Sequence, residues 1–384
     1  MGIQRAKSVW VSVLAGLALF FSVHVFAQHE GENQGTEGHG TENHDQAGHE
    51  EAKGGINPGL ILMEHILDNH EFHFADYKGH AISIPLPVIL YSPQRGFDMF
   101  MSSKFHHGHE DYKGYRITVD HETGKESIIA IGADGNVDAA VKVYDFSMTR
   151  NVTQMLLSLV LLVWIMIKVA NRYAKRGSNV APTGIQNAVE PVITFIRDDV
   201  AKPNLGRFYA KFMPYLLTVF FFILINNLTG LIPGAANVTG NIAVTLLLGL
   251  ISLVVILFNT NSHFWGHIFN PPVPGFVKPI LTIVEFLGVF IKPVALIIRL
   301  FANMVAGHMI IGCLILMIFI FAELAPAAGL AFSPVSVLFT VFIYAIELLV
   351  AFIQAYIFTN LTAVFIGLSM EGEQHREEGA HAHH

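Results

Sequence analysis

Residues 278–322 read KPILTIVEFLGVFIKPVALIIRLFANMVAGHMIIGCLILMIFIFA, and residues 334–369 read PVSVLFTVFIYAIELLVAFIQAYIFTNLTAVFIGLS. As helices rising 1.5 Å per residue these runs would be about 68 Å and about 54 Å long, against a hydrocarbon core of about 30 Å. Neither can stand upright in a bilayer. Dividing the first at Lys292-Pro293 leaves too few apolar residues before the break to span, and no polar loop occurs there. The pattern therefore predicts two steeply tilted, bent helices joined in one hairpin that closes near residues 323–333. Tilts of that size are not needed for anchoring and point to packing against something broad and curved.

Three further apolar segments, 151–170, 212–232 and 239–258, bring the expected membrane crossings to five. With 52% hydrophobic and 14% charged residues in 384, an ordinary soluble protein is excluded, in keeping with a mean hydropathy of +0.49. The fold class is an all-α polytopic membrane protein. A net charge of -7, from 23 basic and 30 acidic residues, leaves no basic excess for nucleic acid. Cys313, the single cysteine, can form no intramolecular disulfide. Between the first and second segments lie Lys168, Arg172, Lys175, Arg176, Arg197, Lys202, Arg207 and Lys211 against Glu190, Asp198 and Asp199, the enrichment of a cytoplasmic loop. The first helix then starts outside and ends inside. Within that loop Ile185, Val189, Val192, Ile193 and Ile196 recur at helical spacing, as in a helix lying on the membrane surface; a cytosolic docking helix would give the same pattern.

The first third is organised differently. Arg5 and Lys7, an apolar stretch from Val9 to Phe21 and the ending Val25-Phe26-Ala27 make residues 1–27 a cleavable secretory signal. Residues 28–79 begin as a solvated tail with His29, His39, His44 and His49, whose irregular spacing lacks the short intervals of a closed metal site. His70-Glu71-Phe72-His73 is one residue short of the two-histidine helical zinc motif and reads as surface chemistry. Residues 80–145 alternate in short apolar runs separated by turn signals such as Asp134-Gly135, the pattern of a small β-rich region outside the cytoplasm, with Pro85 and Pro87 pushing its first run toward a sheet edge. The membrane domain follows at 146–370 and a histidine-rich cytoplasmic tail at 371–384. No metal site and no cofactor are implied.

Ionisable groups inside apolar helices decide the function class. The first long run carries Glu285, Lys292, Arg299 and His308, the second Glu347, and each charge at the bilayer centre costs about 2.5–3.5 kcal/mol on insertion scales. Residues 285, 292 and 299 are seven apart and Asn303 is four further on, so they form one slowly drifting stripe. His308 points to the other side of the same helix. On the second helix Thr340, Glu347 and Gln354 repeat every seven residues and share a face. An antiparallel hairpin would set Gln354 near the depth of Arg299 and Glu347 near that of His308.

The run Arg299-Leu300-Phe301-Ala302-Asn303-Met304-Val305-Ala306-Gly307-His308 resembles the signature of subunit a of F-type ATP synthases, the stator half of a membrane proton motor. Asn227-Leu228-Thr229-Gly230-Leu231-Ile232-Pro233, the run from Asn241 to Leu250, Lys292-Pro293 and Gln354-Ala355 extend the resemblance over about residues 150–370. The resemblance implies a tilted hairpin embracing a ring of c subunits, peripheral-stalk b subunits and other ATP synthase subunits as partners, and a bacterial inner membrane as the site. It casts Arg299 as the essential arginine facing the ring carboxylate, with Asn303 and Gln354 beside it, Lys292 one stretch before it, and Glu285 in the cytoplasmic half-channel. His308 and Glu347 resemble the inlet pair with its two residue types exchanged. The chain would gate ions without catalysing a reaction itself. The extension at 28–145 departs from the family pattern. Among rival classes, a secondary transporter calls for repeated halves around a midplane site, and no such internal repeat is present; a membrane-anchored metal-binding protein leaves Arg299 and Glu347 without a role.

Overall fold

The computed structural model describes residues 68–381 apart from 78–79, 107, 109, 120–125, 133, 139, 177–180, 233, 259–261 and 270–275. The signal segment at 1–27 and the histidine tail to residue 67 lie outside the described residues. The chain divides into two compact units, Met1–Arg150 with Ala306–Tyr344, and Asn151–Val305 with Ala345–His384.

In the first unit the alternating runs form three antiparallel sheets. Strands β1 (Glu71–Tyr77) and β2 (His80–Pro85) pair as a hairpin, and β3 (Pro87–Ser92) pairs with β4 (Gly96–Met101). Strands β5 (Tyr115–Val119) and β6 (Glu126–Ala130) pair with each other, and β7 (Tyr144–Asp145) joins β3, so the three-stranded sheet runs β4-β3-β7. Side-chain alternation buries Val88 and Leu90 of β3 with Phe105, Tyr115 and Ile128. Gly96 turns the β3–β4 hairpin at φ +87, a left-handed backbone that glycine adopts without a Cβ clash. Arg95 fastens the sheets together, donating at 2.7 Å to the carbonyls of both Gly114 and Ile131.

Two expectations change here. The run 82–90 is divided at Leu86 into two strands with one proline each: β2, which ends at Pro85, is an edge strand of its two-stranded sheet as expected, whereas β3, which begins at Pro87, is the central strand of its sheet and not an edge. Pro87 is tolerated because it is the first residue of the strand, where the missing N–H interrupts no ladder. His70 is not surface chemistry. It is 2% exposed, its Nε2 lies 2.8 Å from Asp145 Oδ2 and its Nδ1 3.3 Å from Glu126 Oε2, and its backbone N–H donates to Glu126 Oε2 at 3.0 Å. Burial opposes a charge on the ring, but the hydrogen bonds to Asp145 and Glu126 and their attraction outweigh it and push the pKa up to about 10. Burial likewise opposes the Asp145 carboxylate, yet the bonds from His70 and from Ser147 hold its pKa below the ordinary value.

Eight α-helices follow among the described residues: α1 (Arg150–Arg176), α2 (Ile185–Phe195), α3 (Lys202–Leu205), α4 (Tyr209–Gly230), α5 (Ile242–Phe258), α6 (Ser262–Phe269), α7 (Lys278–Leu324) and α8 (Pro326–His381). Among the described residues four stretches are long and apolar enough to cross a membrane: Arg150–Lys175, Ile185–Gly230, Lys278–Leu324 and Pro326–Leu368. The chain is a mostly helical, multi-pass membrane protein. The expected crossing at 239–258 is the 17-residue α5, shortened because a 3-10 turn at Val238–Gly240, capped by Asn237 Oδ1 on the Gly240 N–H, takes its first residues.

The amphipathic stretch does form a helix at α2, which continues through a π turn at Ile196–Ala201. Its apolar face is packed into the second unit: Val189, Ile196 and Val200 join Leu205, Phe212, Leu216, Phe220 and Phe358 in one buried cluster. Helix α8 passes so close to the end of α3 that a Cβ on Gly367 would strike the Asn204 carbonyl, and Asn204 Nδ2 donates to Asn360 Oδ1 at 3.1 Å beside it.

Helix α7 runs through Pro293 without a break, as its apolar length required. The closure of the hairpin belongs to the first unit. Only Ala325 separates α7 from α8. Phe321 and Phe332 meet at 4.8 Å between ring centroids, and Ser336 Oγ donates to the Leu314 carbonyl. A Cβ on Gly329 would strike Ala322, so glycine there permits the tight return. Helix α8 does not stop at residue 369 but continues to His381, through residues expected to form a separate tail.

Candidate functional site: ionisable stripes on two long helices

Within the second unit, α7 is anchored by Leu296, Leu300 and Met304, spaced four apart and 5%, 1% and 2% exposed. That spacing keeps one face of the helix inward. Arg299 and Lys292 fall outside that face and are exposed, while Glu285 and Asn303 are half-buried. Around Arg299 the outward surface is apolar: Val294, Ala295, Ile298 and Ala302 are all exposed. Lys292 Nζ lies 5.2 Å from the centroid of the Phe365 ring on α8, a cation–π contact. His308 lies on the part of α7 that belongs to the first unit and is half-buried.

Helix α8 turns its polar stripe the other way. Glu347 and Gln354 are 7% and 4% exposed, and Ala351 and Ala355 between and beside them are 0% exposed. Small residues at those positions let neighbouring backbone approach closely, as at helix contacts in membranes. The neighbour is the end of α4: Asn227 Nδ2 donates to the Ala351 carbonyl at 3.3 Å, and Asn227 Oδ1 accepts from Thr239 Oγ1 at 2.8 Å. Asn237 reaches the other long helix, its Nδ2 donating to the Met304 carbonyl at 3.3 Å. Two asparagines thus tie the loop after α4 to α8 beside Gln354 and to α7 beside Asn303.

The structure therefore places Glu285, Lys292, Arg299 and Asn303 along one helix, and Glu347 and Gln354 on one buried face of another. What residue patterns missed were Asn237 and Asn226. Asn226 is 0% exposed and donates to the Phe222 carbonyl at 2.8 Å, while its Oδ1 has no hydrogen-bond partner. A buried polar residue within an otherwise apolar helix was the available signal, but polarity alone does not say which helix it serves. Asn227→Ala should lower thermal stability by about 1–3 kcal/mol because it leaves the Thr239 hydroxyl and the Ala351 carbonyl without their shared partner. In a thermal melt of the purified protein, Asn227→Ala combined with Thr239→Val should cost no more than Asn227→Ala alone; full additivity would separate the two residues.

Long apolar helices, one with an inward polar face and the other with exposed Lys292 and Arg299, define a multi-pass membrane protein with ionisable groups inside its spans. Comparison with known proteins specifies the family. Residues 152–367 match the family described as ATP synthase A chain, and residues 61–146 match a domain of unknown function (DUF8433). The chain is 46% identical over 245 residues to ATP synthase subunit a of Chloroherpeton thalassium, covering 62% of this chain and 71% of that one. It is 38% identical over 246 residues to ATP synthase subunit a of Myxococcus xanthus, covering 62% and 78%. The chain belongs to the ATP synthase A chain family, the F-type subunit a proteins, and is a membrane subunit that works with other subunits of that complex.

Proposed function

We propose that this chain is the proton-conducting stator of the membrane sector, with two half-channels meeting at a ring of c subunits and Arg299 set between them. The observation that carries this reading is Arg299 itself, a fixed positive charge exposed among Val294, Ala295, Ile298 and Ala302 on a helix anchored by Leu296, Leu300 and Met304. A charge so placed costs about 2.5–3.5 kcal/mol against lipid and calls for an opposite charge arriving from outside the chain. A ring carboxylate that alternates between neutral and ionised meets that need. The delocalised guanidinium charge of Arg299 attracts the ionised carboxylate and blocks a direct leak.

Protons enter near Glu347 and His308, neutralise a ring carboxylate, travel through lipid with the ring and leave past Glu285. Asn303, Gln354 and Lys292 flank the arginine, and the burial of Glu347 and Gln354 supports a protein-lined path on that side. The chain gates ions and makes no ATP alone. The basic loop between α1 and α4 sets the orientation, with the β-rich extension on the periplasmic side of a bacterial inner membrane and the end of α8 in the cytoplasm. The segments assigned from the sequence, 1–27, 28–79, 80–145, 146–370 and 371–384, follow from that topology, and peripheral-stalk b subunits complete the stator.

A double-mutant cycle on His308 and Glu347 tests the inlet pair. On the proposed pairing, His308→Glu and Glu347→His would each set two like groups against one another. The exchange His308→Glu with Glu347→His should recover more proton flux in reconstituted vesicles than either single change. An exchange no better than the worse single variant would show that the two residues are uncoupled.

A further inference from the structure

In an antiparallel sheet packed on one side, the other side ordinarily carries polar residues. The β4-β3-β7 sheet does not. Its inner face supplies Val88 and Leu90 to the core, whereas its outer face exposes Phe97 at 66%, Met99 at 65%, Met101 at 43%, Tyr91 at 46% and Phe146 at 36%. Register places these side chains in rows: Tyr91 lies opposite Phe97 on one side and Tyr144 on the other, Ile89 opposite Met99, and Pro87 opposite Met101. Not one charged side chain interrupts the rows. The polar residue of β4, Asp98, belongs to the other face, where it accepts from Lys113 Nζ at 2.8 Å. An apolar face of this kind marks an interaction site.

The sheet is also tied to the start of a membrane helix. Pairing with β3 continues beyond β7, the Phe146 N–H donating to the Ile89 carbonyl at 2.8 Å and the Met148 N–H to the Pro87 carbonyl at 3.1 Å. Helix α1, an apolar span, begins two residues later at Arg150, whose N–H donates to the Asn69 carbonyl at 3.0 Å. At about 3.4 Å per residue, the four residues from Phe146 to Arg150 allow at most about 14 Å between the apolar face and the point where the chain enters the bilayer. Tyrosine, phenylalanine and methionine without counter-charges suit the boundary between headgroups and acyl chains.

We propose that the outer face of the β4-β3-β7 sheet is a lipid-docking surface, resting on the leaflet at which α1 begins and holding the extension against the membrane. The inference goes beyond ion conduction and stands whether or not the half-channel reading holds. Its test uses the full chain in bilayer nanodiscs, with Cys313→Ser and an environment-sensitive fluorophore attached at Met99→Cys, at Phe97→Cys, or at Asp134→Cys in an exposed turn outside this sheet. Lipids brominated on the acyl chain should quench positions 97 and 99 by about two-fold or more while leaving 134 bright, and aqueous iodide should do the reverse. Iodide quenching at 97 and 99 equal to that at 134 would overturn the proposal, because the face would then be in water. Shielding of 97 and 99 from both quenchers would overturn it in favour of protein covering the face. Two labelled positions guard against one substitution disturbing the sheet.

Discussion

Arg299→Ala is expected to abolish ATP-driven proton pumping in inverted vesicles while the protein still inserts and assembles. Both halves follow from its position. The side chain is exposed, and the residues that seat α7 are Leu296, Leu300 and Met304, so truncation opens no core cavity. The positive charge is lost entirely, and on the proposed reading that charge is both the partner of the ring carboxylate and the barrier between half-channels. Arg299→Lys should rescue poorly, since an ammonium lacks the delocalised guanidinium charge and gives up its proton more readily when desolvated. Dye-quenching assays of proton uptake, read beside the amount of assembled complex, check the expectation. Normal coupled pumping by Arg299→Ala would falsify the stator reading.

The second large effect lies outside the membrane. His70→Ala should destabilise the β-rich extension by about 3–5 kcal/mol, because it leaves the carboxylates of Asp145 and Glu126 partly buried without the cation they share. The pH dependence has a definite sign. His70 has its pKa raised from 6.5 to about 10, so its contribution is fully present below about pH 6.5 and disappears as pH rises through about 10. Asp145 has its pKa lowered from 3.8, so its contribution is present above that value and disappears as pH falls through the depressed one. The extension should be most resistant to proteolysis between these windows, and protection in the full-length protein should fail on the alkaline side first. Limited proteolysis across pH, with His70→Ala as reference, measures this; a wild-type profile flat from pH 6 to 10 would refute the charged-imidazole account.

Much was open to reading from the linear chain because a bilayer leaves few choices: uninterrupted apolar length demands helix, and charge within such length demands a role. The single helix through Pro293, the return near Ala325 and the shared face of Glu347 and Gln354 all followed from length and seven-residue spacing. The family followed from the run around Arg299. Periodicity alone, however, cannot say what an apolar face meets. The apolar side of α2 could have faced lipid, and only tertiary packing showed Val189, Ile196 and Val200 within a protein core.

Contacts between residues far apart in the chain were likewise out of reach of local pattern. His70 meets partners 56 and 75 residues away, so its short local motif suggested a surface group when pairing with two carboxylates was what made burial of the ring tolerable. No local spacing gave Asn227 or Asn237 a partner; the fold brought the Ala351 and Met304 carbonyls to them. The sequence by itself determined which segments are helices in lipid and which residues in them are ionisable, because those properties depend on composition and local spacing. Tertiary structure alone decided which face is covered, which carbonyl an amide reaches and which carboxylates hold a histidine charged, because each depends on a meeting of distant segments that no local spacing encodes.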